Sequence, residues 1–312
     1  MHRSFESARF HCWKALELMA KSATTPKIAL HQILCATDFS AHSVSVLAHA
    51  AAIARRYRSK LYLGHIIPTD VYRSVPAEVM TEALTQTRGY AQDAMRNQLT
   101  LEYLQGLPTE PVIREGSVVL ELLKLADEVK ASILVIGTRA HHGLERLLEG
   151  SVAEEVFRQA PCPVLVVPPA VEEQSGVPVR RVLFPTSFSE NSLRAAPYAF
   201  SLARRHRARL ILLHVLPENP ASSETDLGQL RAAGEERLRT ILPTKGGPTL
   251  EPLFYVEFGH VAERIVRVAV ENEADLIVLG IATAGPAAAH LPEGDAYKVV
   301  GASQCPVLTI RS

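Results

Sequence analysis

The strongest constraint on the fold is that the chain is written twice. Ile33-Leu34-Cys35-Ala36-Thr37-Asp38-Phe39-Ser40 recurs as Val182-Leu183-Phe184-Pro185-Thr186-Ser187-Phe188-Ser189, with Thr37 falling on Thr186 at an offset of 149 residues. The same offset carries His65 onto His214. Later landmarks match at an offset of 143: Ile133-Leu134-Val135-Ile136-Gly137 on Leu276-Ile277-Val278-Leu279-Gly280, and Cys162-Pro163-Val164 on Cys305-Pro306-Val307. Ordered landmarks with one six-residue deletion between them define a tandem repeat, and a repeat must be recognised before any element is assigned.

Within the first copy, apolar runs near 31–37, 60–67, 110–115, 132–137 and 163–167 are rich in Ile, Leu and Val. Runs of this length without polar alternation suit strands buried on both faces, as in a parallel sheet. Between them Val44, Leu47, Ala48 and Ala51, and then Val119, Leu122, Leu123 and Ala126, recur at helical spacing. Ser40 is an N-cap candidate for the first of these helices. In the second copy Leu193, Ala196, Phe200 and Ala203 repeat the pattern, with Pro197 expected to kink or delay the helix. Strand–helix alternation with right-handed crossovers predicts an α/β fold, a doubly wound parallel sheet of five strands in each copy. The Pro- and Gly-bearing stretch from Pro168 to Pro178 marks the boundary. The expected organisation is an N-terminal extension over 1–26, a first domain over 27–170 and a second over 178–312. Phe5, Cys12, Trp13 and Leu16 could share a helical face in the extension. It reads equally as a docking helix, a frayed tail or a misassigned start with Met19 as initiator.

Charge narrows the class of partner. Lys+Arg and Asp+Glu both number 33, giving a formal net charge of zero, so no electrostatic footprint for nucleic acid or an acidic membrane is expected. No apolar run is long enough to span a bilayer. The four cysteines, Cys12, Cys35, Cys162 and Cys305, are far apart with no CxxC pair, which reads as buried thiols in a reducing, cytoplasmic setting.

Doubly wound sheets bind ligands at the carboxyl ends of their strands, beside the point where strand order reverses. In copy one that edge carries Thr37-Asp38, Ile66-Ile67 and the loop that begins Gly137-Thr138-Arg139-Ala140-His141-His142-Gly143 and reaches Gly150-Ser151. Gly137 would let a ligand approach the backbone. Gly150 and Ser151 open a helix from Val152 to Ala160, whose free N–H groups and dipole favour a phosphate. Asp38 is placed to accept from a ribose hydroxyl or a base amine. Taken singly, each of these glycines is a turn residue.

Together the spacing resembles the universal stress protein family. Nucleotide-binding members carry an aspartate at the end of the first strand and a Gly-x2-Gly-x9-Gly-Ser/Thr loop after the fourth. Here the loop reads Gly137-x2-Ala140-x9-Gly150-Ser151, followed by Val152-Ala153-Glu154 and Ala160-Pro161-Cys162-Pro163-Val164. The resemblance covers residues 30 to 312 and implies two Rossmann-like domains of the adenine nucleotide alpha hydrolase-like kind, packed as a pseudo-twofold dimer through their fifth strands. It leaves a homodimer of whole chains open. It implies ATP or a related adenine nucleotide, with Mg as a companion ion, and no other metal. Carried over, Thr37, Asp38 and the Ile66 backbone face the nucleoside; Gly137, Ala140, Gly150, Ser151 and Val152 face the phosphates. Ala140 departs from the pattern, putting a methyl group where the family has a glycine. Arg139, His141 and His142 read either as added positive charge or as a solvated loop.

Copy two departs further. Ser187 replaces the aspartate, the loop from Gly280 to Gly294 fits the spacing poorly, and Asp295 at the helix start would repel phosphate. It reads as a degenerate site. The His65/His214 pair reads as packing, since it recurs in both copies. A phosphoacceptor receiver would need an aspartate ending the third strand, where Arg114-Glu115-Gly116 and Glu257-Phe258-Gly259 stand instead. No nucleophile elbow, Walker loop, Gly-x-Gly-x-x-Gly or His-Glu-x-x-His is present. The expectation is a binding module in stress response with no catalytic residue. A slow ATP hydrolase in the same pocket, or a protein-interaction module without nucleotide, remains open.

Overall fold

The computed structural model describes residues 28–72, 76–138, 152–169, 171, 179–218, 223–243, 251–281 and 294–311. The chain separates into two compact units, one spanning Ala29–Val177 and the other containing Pro178–Ser312. Cys12 and the proposed N-terminal helix lie outside the described residues.

In the first unit the strands are β1 (Gln32–Ala36), β2 (Lys60–Pro68), β3 (Thr109–Gly116), β4 (Ile133–Gly137) and β5 (Val164–Val167). They alternate with α1 (Ala41–Tyr57), α2 (Ala77–Leu99), α3 (Val118–Glu128) and α4 (Val152–Gln159). The strand order is β3-β2-β1-β4-β5, with every pairing parallel. Order therefore reverses between β1 and β4, the switch point at which such sheets open a crevice. Ile33, Leu34, Leu61, Leu63, Ile67 and Leu134 are fully buried, each contributing about 1.5–3 kcal/mol of transfer free energy.

The second unit repeats the scheme with β6 (Arg181–Pro185), β7 (Arg209–Leu216), β8 (Leu253–Phe258), β9 (Leu276–Ile281) and β10 (Val307–Arg311). Its order is β8-β7-β6-β9-β10, again all parallel. The helices are α5 (Glu190–Leu193), α6 (Ala196–His206), α7 (Glu224–Thr240), α8 (Val261–Glu271) and α9 (Asp295–Ala302). Pro197 sits in the first turn of α6, where its missing N–H costs nothing. The expected delay thus takes the form of a break between α5 and α6.

Cys35 is buried and its thiol is pushed up to about 12 by desolvation. Cys305 is also buried and Cys162 half-buried; burial pushes both up to about 11. All three are inert thiols at neutral pH. No described helix is long and apolar enough to cross a membrane.

Candidate functional site

Immediately after β1, the chain turns from strand to helix through Thr37-Asp38-Phe39-Ser40. Phe39 sits at φ 61°, a conformation uncommon for residues with a Cβ and worth about 1–2 kcal/mol of strain. The surrounding bonds hold it there. Thr37 is buried; its N–H donates to the Gly64 carbonyl at 2.9 Å. Its hydroxyl lies 3.0 Å from Gln98 Oε1 and 3.1 Å from Ser43 Oγ, and accepts from the Phe39 N–H at 3.1 Å. The His65 Nδ1 lies 2.8 Å from the Thr37 carbonyl, and its ring stacks on Phe39 with centroids 4.2 Å apart. Every polar atom of Thr37 thus has a partner within the unit, and these bonds build the turn.

What the turn presents is Asp38. Its carboxylate is exposed at the strand end. Oδ1 accepts from the Ser40 N–H at 3.1 Å and from the Ser40 hydroxyl at 2.6 Å. Ser40 in turn caps α1, accepting from the Ser43 N–H, as its position predicts. A carboxylate fixed on one oxygen is a pre-oriented acceptor.

The Ile66 side chain is buried, so only its backbone can meet a ligand, and the register shows where that backbone faces. The Lys60 N–H donates to His31, and the Gly64 carbonyl accepts from Thr37. Even-numbered residues of β2 therefore turn their N–H and C=O toward β1, while the Leu61 N–H donates to Pro108 on the β3 side. Pairing of β1 with β2 ends at Ala36 and Gly64. By the two-residue period of a strand, Ile66 offers an N–H and a C=O past the end of β1, on the side of Asp38.

Gly137 has a structural reason to be glycine. A Cβ there would lie 2.8 Å from Val46 Cγ2 and 2.9 Å from His42 Cδ2 and Nε2. The first turns of α1 pack directly on the end of β4, and His42 Nε2 reaches the Val167 carbonyl at 3.1 Å. Gly280 repeats this more severely: its Cβ would overlap the Asn191 carbonyl oxygen and lie 2.6 Å from Ser192 Cα. At both glycines the close neighbour is the unit's own helix, through side chains of α1 at Gly137 and through the backbone of α5 at Gly280. Val152 begins α4 and is exposed. Ala140, Gly150 and Ser151, with Arg139, His141 and His142, lie outside the described residues.

The corresponding turn in the second unit keeps the frame and changes the chemistry. Phe188 lies at φ 60°, Ser189 caps α5, and His214 Nδ1 lies 2.8 Å from the Thr186 carbonyl. At the Asp38 position stands Ser187, whose Oγ is 3.0 Å from Ser189 Oγ and 3.4 Å from Ser192 Oγ. The Arg237 guanidinium of α7 covers the Phe188 ring at 4.1 Å. Burial lowers the pKa of both His65 and His214. Asp38 partly offsets this for His65, whereas Arg237 adds to it for His214. Asp295 occupies the first position of α9.

Residue typing alone misses His42, Gln98 and Arg237. The recurring Thr-x-Phe-Ser was visible, but nothing in it disclosed a left-handed phenylalanine. Among the described residues no group of three or more His, Cys, Asp or Glu side chains gathers as metal ligands would.

Doubly wound parallel strands in each unit, with the same capped turn at the switch point, define a duplicated α/β protein. The universal stress protein family model matches residues 29–168 and again 178–311, and the chain belongs to that family. A universal stress protein of Methanocaldococcus jannaschii is 32% identical over 137 residues, covering 44% of this chain and 81% of that protein. The crystal structure of a universal stress protein from Archaeoglobus fulgidus superposes with a TM-score of 0.66 at 20% identity, covering 91% of this chain and 97% of that one. A universal stress protein in complex with cAMP is 28% identical over 45% of this chain and 97% of its own, with a TM-score of 0.35.

Proposed function

We propose that the first unit is an adenine-nucleotide-binding module, with its site at the carboxyl ends of β1, β2 and β4. The observation that carries this reading is the exposed, pre-oriented Asp38 carboxylate beside the outward-facing Ile66 backbone. A carboxylate accepts from two ribose hydroxyls, and an adjacent N–H/C=O pair matches the donor–acceptor edge of adenine. The donor set therefore fits a nucleoside. The phosphate end falls to the loop that ends in Gly150 and Ser151 and to the start of α4, where helix N–H groups favour anions. Mg, if it accompanies ATP, would serve to neutralise the phosphates.

Calorimetric titration of the full chain with ATP tests this. Asp38→Ala removes a charged hydrogen-bond acceptor worth about 1.5–3 kcal/mol, so affinity should fall by roughly 10–100-fold. Gly150→Asp sets a carboxylate against the phosphates and should weaken binding comparably. Absence of heat with the unaltered protein would end the proposal, and unchanged affinity in both variants would end the site assignment. Phosphate release on the same samples separates a binding module from a slow hydrolase.

A further inference from the structure

The strand order of the first unit ends at β3 and that of the second at β8, each with a single strand neighbour. An edge of this kind presents N–H and C=O groups to any passing chain, and native proteins blunt it with proline, charge or a cover. The two edges differ. On β3 the Pro108 and Gly116 carbonyls accept from the Leu61 and Thr69 N–H groups. Even-numbered residues therefore turn their backbone toward β2 and odd-numbered ones turn outward. Pro111 belongs to the outward set, and its missing N–H interrupts an added ladder at mid-strand. On β8 the Gly259 N–H donates to the Leu216 carbonyl, so Phe254, Val256 and Phe258 turn their backbone outward. Pro252 shares that parity but precedes the strand. β8 thus offers an uninterrupted row of N–H and C=O groups, and among the described residues no strand pairs with its outer side.

The side chains of the same three residues face α7. Val256 is buried against Gly234, where an added Cβ would lie 2.8 Å from Val256 Cγ2. Arg239 lies over the Phe254 ring, its guanidinium carbon 4.2 Å from the centroid, and Arg231 lies over the Phe258 ring at 5.5 Å. With Gly234 toward the sheet, the helical period puts Arg237 on one flank of α7 and Arg231, Glu235 and Arg239 on the other. Arg237 reaches Phe188, just past β6. The order β8-β7-β6 then leaves the other flank on the side of the edge. Arg231 and Arg239 are both exposed. Glu235 stands 4.0 Å from Arg239, an exposed pair of little strength, and the flank keeps a net positive charge. Eight residues of helix and four of strand both span about 12–13 Å. The two guanidinium groups therefore recur at every fourth residue of an added strand.

We propose that the outer edge of β8 is a docking site for an extended acidic segment of another protein. The segment adds a strand to the second unit and sets carboxylates four residues apart against Arg231 and Arg239. The backbone ladder supplies affinity, and the two arginines select the partner. A second copy of this chain is a poorer occupant. Paired antiparallel about Val256, it would set Phe254 opposite Phe258 of the other copy and bring Arg239 of one toward Arg231 of the other. The proposal does not rest on nucleotide binding in the first unit.

The probe is an end-capped, fluorescein-labelled octapeptide of alternating Thr and Val with Glu at its third and seventh positions. Its control carries Lys at both. Anisotropy with the full chain should show the Glu peptide binding about tenfold more tightly than the Lys peptide. Arg231→Glu combined with Arg239→Glu, both at exposed positions, should abolish or reverse that preference. N-methylation of alternate peptide amides should abolish binding at one parity and spare it at the other, because only one set faces β8. Asp38→Ala should leave peptide binding unchanged. No binding of the Glu peptide, equal binding of the two peptides, or indifference to N-methylation at both parities overturns the proposal. A response that appears only as the chain dissociates on dilution would assign the edge to a second copy and overturn it equally.

Discussion

The turn after β1 and the turn after β6 share a skeleton yet present different chemistry. Each has a buried threonine, a phenylalanine near φ +60°, a capping serine and a histidine bonded to the threonine carbonyl. The frame is a property of the fold, because it solves how a buried strand enters a helix within four residues. The residue between threonine and phenylalanine is exposed and serves the frame only by accepting from the capping serine's N–H, which an aspartate or a serine side chain can each do. It is therefore free to differ, and Asp38 and Ser187 do.

The comparison breaks most easily at the two strand-end glycines. Gly280→Ala forces a Cβ onto backbone, which cannot swing away, so about 3 kcal/mol or more of destabilisation is expected. Gly137→Ala meets the Val46 and His42 side chains, which can shift, so about 1–2 kcal/mol is expected. Urea unfolding of each variant, followed by a probe in the affected unit, measures the difference; equal losses would refute the backbone argument. The serine caps come next. Ser40→Ala and Ser189→Ala should each cost about 1 kcal/mol. Ser40→Ala should also weaken nucleotide binding, because it releases Asp38 Oδ1.

The smallest effect concerns the paired histidines. Both have folded pKa values below the ordinary value, so the unfolded chain binds more protons as pH falls. Their contribution is fully present above about pH 7. It is lost as pH falls through the ordinary histidine range toward the folded values. Arg237 lowers His214 further and Asp38 offsets the shift at His65, so His214 should titrate below His65 in a proton NMR titration. Asp38→Ala should narrow that gap, and coincident midpoints in the unaltered protein would contradict the charge assignments.

Much of this was readable from the chain. Uninterrupted runs such as Ile133–Ile136 identify buried parallel strands because burial on both faces leaves no room for alternation. Ser40 announces α1 because capping is local chemistry. Asp38 stood out because a charged residue just past a buried strand needs a reason to be there, and the structure leaves its side chain exposed at the strand end. The purpose of Gly137 was not legible, since the contact that demands a missing Cβ comes from His42 and Val46, far away in sequence. The bond of the Thr37 hydroxyl to Gln98, some sixty positions on, is not encoded by any local pattern. Arg237 lies in a helix whose pairing with Phe188 no local pattern encodes.

The alternation of β2 ties two fates together. The alternation that turns the Ile66 backbone past the end of β1 also sets Leu61, Leu63 and Ile67 on one buried face and Gly64 and Ile66 on the other. A one-residue slip would exchange those faces and turn the Ile66 backbone away from β1 together, so the proposed ligand edge shares its register with the core. The second unit, which has exchanged its aspartate, still carries Val215 at the matching place, set by the Thr186 N–H bond to Leu213. A duplicated module built this way can exchange the outward-facing side chain at the strand end and keep the same frame beneath it.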